Sequence, residues 1–117
     1  KTLWPGKPLY NYWYTVETII KQNNCSIIGN LTGHGVGIAL REPPYIYNYA
    51  HPSLQKIFLE PGMVIALEPI TAIESRSYRE KPHIKRNLYT QKGDLGAQWE
   101  YSVLITENGY EILAGVQ

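Results

Sequence analysis

Sulfur chemistry has almost nothing to work with in this chain, because Cys25 is its lone cysteine. No internal disulfide can form, and a cysteine-based zinc site would lack its second sulfur, so a reducing, cytoplasmic setting is expected. Aspartate is just as scarce: Asp94 is the only one, and it sits in a KGDLG turn. No run approaches the roughly 18 apolar residues of a membrane span, and the opening KTLWPGKPLY has no signal-peptide core. A membrane partner is therefore not expected. Nor is there an excess of one charge, with 11 Lys and Arg against 10 Asp and Glu for a formal +1. That balance gives no general field for nucleic acid. The ten tyrosines and three tryptophans are read as packing groups rather than base-stacking platforms.

What is present fits one globular unit over 1–117: 44% of the residues are hydrophobic and 18% charged. A second full domain does not fit in this length. The chain starts at Lys1 without an initiator methionine, so a preceding segment stays open.

Leu9, Tyr12, Trp13, Val16, Ile19 and Ile20 recur at helical spacing, which predicts an amphipathic helix over about 9–22. Residues 26–31 read as a strand running into a constrained, glycine-punctuated turn at His34. REPPYIYNYAHPSLQ reads as a packed loop, and SRSYREKPHIKR as a solvated, charged one. LEPGMVIALEPITAIES opens on a Pro-Gly turn and continues as a strand of about eight residues containing Glu68. Period-two counting puts Glu68 on the face of Val64, Ala66 and Ile70, where a charge needs a partner. GAQWEYSVLITENGYEILAG reads as a hairpin about a type I′ Asn108-Gly109 turn. Gln98, Glu100, Ser102 and Leu104 share one of its faces.

His34, Glu68 and Glu100 thus stand out as one imidazole and two carboxylates, a plausible ligand set for a divalent manganese, iron, cobalt or zinc ion. Their spacing matches no short metal motif.

TGHGVGIALREPP, LEPGMVIALEPI and GAQWEYSVLITENGYEIL occur in the order and approximate spacing of three motifs of the type I methionine aminopeptidases. The chain resembles that family, which has the creatinase or pita-bread fold, over about residues 9–115. The resemblance implies an α+β architecture, the C-terminal half of a pita-bread domain, with a curved antiparallel sheet packed by helix. It implies a methionyl aminopeptidase that removes the N-terminal methionine of nascent proteins with water activated by two metal ions (Co, Mn, Fe or Zn). Residue by residue, His34 matches the single histidine ligand, Glu68 a carboxylate ligand also given the proton-transfer role, and Glu100 the carboxylate bridging both ions. The glycines around His34 would let backbone approach ligand or substrate closely.

Departures accompany the match. The family's two aspartate ligands lie on strands of the other half, and Asp94 cannot supply them. Arg41 stands where a second histidine usually contacts the substrate carbonyl, and Arg86 roughly where an aromatic wall of the methionine pocket is found. Both therefore become substrate-binding candidates, and Arg41 a catalytic one. Two carboxylates balance only one divalent ion, so the chain by itself is expected to hold one ion or none. Its partners would be a peptide or nascent-protein N-terminus, and either a missing N-terminal half or a second copy. The alternative reading is a non-catalytic binding module derived from the pita-bread fold, without the full metal site.

Overall fold

The computed structural model describes residues 2–115, apart from the side chains of Lys85 and Arg86. Helix α1 spans Tyr10–Gln22. Its apolar stripe buries Trp13 completely, together with Leu9 at its N-terminal boundary, while Ile19 at the far end stays 54% exposed. Each fully buried side chain of this size is worth about 1.5–3 kcal/mol relative to leaving it in water. The helix stops at Asn23, whose N–H donates to the carbonyls of Ile19 and Ile20, and Asn24 turns the chain away with φ of 54°.

Among the described residues ten strands follow, in three sheets. β2 (Thr32–Gly35), β3 (Glu42–Tyr47), β4 (Val64–Leu67), β9 (Tyr101–Thr106) and β10 (Gly109–Gly115) form a five-stranded antiparallel sheet in the order β10-β9-β4-β2-β3. β1 (Ser26–Ile27), β5 (Ile70–Ala72) and β8 (Gly96–Gln98) form a smaller one in the order β1-β5-β8. β6 (Tyr78–Lys81) and β7 (Ile84–Thr90) pair as a separate hairpin. Period two decides the faces of the large sheet. Ile65, Leu67, Val103, Ile105 and Ile46 point to the core with Trp13, Leu54 and Leu59. Val64, Ala66, Ser102 and Leu104 therefore point the other way.

Several expectations are corrected. The segment read as a packed loop is β3 plus a 3₁₀ helix, Pro52–Lys56. Prolines 43 and 44 are tolerated because β3 is an edge strand, where a missing N–H breaks no internal ladder. The charged loop holds β6 and the start of β7, which together form a hairpin. Most of its side chains face water, which hides the usual alternation, and Lys81 covers Tyr89 with its Nζ 4.4 Å from the ring centre. His34 lies inside β2 rather than at a turn. Its flanking glycines serve the sheet itself: a Cβ on Gly33 would collide with the Ala66 carbonyl oxygen, and one on Gly35 would come within 2.9 Å of the Glu42 carbonyl oxygen.

The hairpin at the C-terminal end is present, but Gly109 pairs with Thr106, so its two-residue turn is Glu107-Asn108. Among the described residues Asn24 is the only non-glycine with positive φ, so Asn108 is not in the type I′ conformation. Most consequential, the two long strands are each broken in two. β4 ends at Leu67 and β5 begins at Ile70, while β8 ends at Gln98 and β9 begins at Tyr101. Glu68 and Glu100 occupy the breaks, where the chain leaves one sheet for the other. Pro69, lacking an N–H, cannot carry the ladder across.

Candidate functional site

The sheet register assembles the site. His34 pairs with Ala66, and Ala66 with Ser102, a row across three neighbouring strands on the face away from the core. Leu67 pairs with Tyr101, so one further step sets Glu68 opposite Glu100. Glu68 is then diagonal to His34, within reach for long side chains.

Side-chain geometry completes the pairing. His34 Nε2 lies 3.1 Å from Glu68 Oε1, and both residues are buried. The other ring nitrogen, Nδ1, is 2.9 Å from the carbonyl oxygen of Gly35. A carbonyl only accepts, so Nδ1 carries a proton, and in the neutral ring Nε2 presents a lone pair to the carboxylate. Glu68 Oε1 has no hydrogen-bond partner. With the ring neutral and the carboxylate ionised, a cation between the two atoms would satisfy both. Their separation suits neighbouring ligands of one ion, given metal–ligand distances of about 2.0–2.2 Å.

Burial pushes the Glu68 carboxyl above the usual carboxylate range, and Glu100 adds to the rise by like-charge repulsion. His34 and Arg41 act in the opposite sense. Glu100 itself is exposed and borders an opening of about 410 Å³ with Gln98, Ser102, Ala114 and Gly115.

The structure thus brings His34 and Glu68 into contact, with Glu100 and Arg41 near enough to act on Glu68 through their charges. Arg41 is exposed, directly ahead of β3. The Arg86 side chain lies outside the described residues. Among the described residues no three His, Cys, Asp or Glu side chains converge to hold an ion. The pair fits as two ligands of an ion, and the rest of a ligand set is not assembled from these residues. Asp94 is committed elsewhere: its carboxylate accepts from the Glu74 and Ser75 N–H groups at 2.6 and 3.0 Å and from the Ser75 hydroxyl.

One polar side chain at the site was given no role from the sequence. Gln98 donates from Nε2 to Glu68 Oε2 at 3.4 Å, and it borders a cavity of about 360 Å³ lined also by Leu31, Ile70, Tyr78 and Tyr89. Its shared face with Glu100 was the available signal.

A profile of metallopeptidase family M24 matches residues 1–107. The chain belongs to that family. It is 36% identical over 112 residues to the methionine aminopeptidase of Buchnera aphidicola subsp. Schizaphis graminum, a match covering 93% of this chain and 41% of the relative. To methionine aminopeptidase 1 of Bacillus subtilis it is 35% identical over 112 residues, covering 96% of this chain and 44% of that protein. The solved methionine aminopeptidase of Thermotoga maritima superposes with a TM-score of 0.88 at 33% identity, covering 97% of this chain and 45% of that one. The pita-bread fold expected from the motifs is therefore the fold observed. The chain spans less than half the length of these relatives.

Proposed function

We propose that this M24 chain is the C-terminal half of a methionyl aminopeptidase domain, supplying His34, Glu68 and Glu100 to a divalent-metal centre that frees the N-terminal methionine of nascent proteins in the cytoplasm. The observation that carries this reading is the buried 3.1 Å contact between His34 Nε2 and Glu68 Oε1. A divalent ion, when bound, acidifies water and stabilises negative charge developing on a carbonyl oxygen.

The chain's own residues do the rest. His34 offers Nε2, with its ring fixed by the Gly35 carbonyl. Glu68, whose carboxyl is raised by burial, is suited to accept the proton of the attacking water at one carboxylate oxygen and pass it to the leaving amine. Glu100 contributes a second carboxylate from the opposite break. Arg41 hydrogen-bonds the substrate carbonyl but, being permanently protonated, donates without transferring a proton. Arg86 is assigned to the methionine pocket by the motif resemblance alone. The two missing aspartates come from the other part of the domain, so this chain alone retains one ion or none.

The non-catalytic module remains as a second reading, favoured by Arg41 and by the incomplete set of converging ligands. Elemental analysis after loading with manganese or cobalt and removing free ion tests both. One ion per chain, together with methionine release from a Met-initiated peptide once an N-terminal half is supplied, supports the peptidase. No ion and no release with both halves present would establish the module instead.

A further inference from the structure

Glu68 has a neighbour at each of its two oxygens, and only one of those neighbours is the histidine. Oε1 faces His34 Nε2, while Oε2 accepts from the Gln98 amide. We infer that Gln98 is a positioning residue, fixing the Glu68 carboxylate in the orientation that presents Oε1 to His34.

The backbone supports this. Gln98 is the last residue of β8 and pairs with Ile70, two residues beyond Glu68. The next N–H along, that of Trp99, donates to the Pro69 carbonyl at 3.1 Å. These contacts bracket the Glu68-Pro69 break, so the root of the Gln98 side chain cannot slide relative to the carboxylate. The terminal torsion of a glutamate is broad and roughly two-fold, so nothing intrinsic to Glu68 sets its carboxylate plane. Glu100, opposite, repels it. Among the described residues no other side chain donates a hydrogen bond to Glu68. Gln98 is itself exposed, so its amide is not needed to fill the core.

The inference rests on His34 and Glu68 being the ion-binding pair, and its test separates the two ideas. Gln98→Met keeps the side-chain volume and removes the donor, and Gln55→Ala, at an exposed glutamine of the 3₁₀ helix, is the control. In ion-free protein at one fixed pH, the ¹⁵N shifts of the His34 ring are expected to move in Gln98→Met and to stay at wild-type values in Gln55→Ala. Calorimetric titration with Mn²⁺ is expected to show affinity weakened about tenfold in Gln98→Met, at an unchanged melting temperature. Because the ring shifts are read without ion, they decide the matter even if the wild-type chain retains no manganese. Wild-type ring shifts in Gln98→Met overturn the inference, as does a change matched by Gln55→Ala. Loss of the peptidase reading, by contrast, would show as absent methionine release with every ring shift as expected.

Discussion

Trp99 donates its backbone N–H to the carbonyl oxygen of Pro69 across 3.1 Å, tying together the two points where strands leave the large sheet for the small one. Glu68 precedes one partner and Glu100 follows the other. Two carboxylates are therefore set opposite each other by backbone, before any side chain chooses a rotamer. Like charges so placed cost stability unless a cation lies between them.

Glu68→Gln tests that cost. The folded-state pKa of Glu68 is raised, so the folded chain binds this proton more readily than the unfolded one. Stability from this group is present at acid pH and declines as pH rises from the ordinary carboxylate value through the raised folded one. In ion-free protein, Glu68→Gln is expected to raise the urea midpoint at neutral pH by the equivalent of about 1 kcal/mol and to flatten this slope, while abolishing manganese binding. A lower midpoint at neutral pH would contradict it.

Asp94 behaves in the opposite sense. Its carboxyl is held well below the usual range, first by the Ser75 hydroxyl and then by the Glu74 N–H. Its contribution is present above the ordinary carboxylate value and is lost as pH falls through the lowered one. Asp94→Ala should speed hydrogen exchange at the Glu74 and Ser75 amides at pH 7, and the difference from wild type should shrink in strong acid. Unchanged exchange at neutral pH would show that the clamp is not made in solution.

Gly33→Ala forces β2 away from the Ala66 carbonyl. Overpacking of this kind costs about 1–3 kcal/mol, and here it also parts His34 from Glu68. Chemical denaturation should report the first effect and loss of manganese retention the second. Wild-type values in both would mean that the sheet absorbs the methyl group.

Arg41→Ala removes an exposed positive charge that acts on Glu68. Manganese affinity should rise by roughly two- to fivefold at low salt, the range for an exposed charge interaction, and the gain should fade as salt is added. A salt-independent gain would point to a steric role for the arginine.

Much of this was legible from the sequence. The spacing of Leu9, Tyr12, Trp13 and Val16 marked the helix because one face is buried. His34, Glu68 and Glu100 stood out as an imidazole and two strand carboxylates, motif resemblance gave them roles, and period-two counting grouped Glu68 with Ala66 and Glu100 with Ser102. What pattern could not show was where strands end. Glu68-Pro69 and Trp99-Glu100 look continuous with their strands because side chains still alternate across a sheet-to-sheet crossing. β3 was hidden by prolines that only an edge position tolerates, and β6–β7 by side chains that face water. Gln98 went unassigned because its partner is set by register rather than by neighbours in sequence.

The crossing from one sheet to the other acts as a crease. His34 lies within a strand of the large sheet and is a fixed point, whereas Glu68 and Glu100 sit on the fold line itself. A change in the angle between the sheets would therefore shift both carboxylates relative to the imidazole. Ser75 and Asp94 tie together the two connections by which the small sheet's β5 and β8 lead into the β6–β7 hairpin. The spacing of Glu68 from His34 is therefore coupled to how the small sheet is seated.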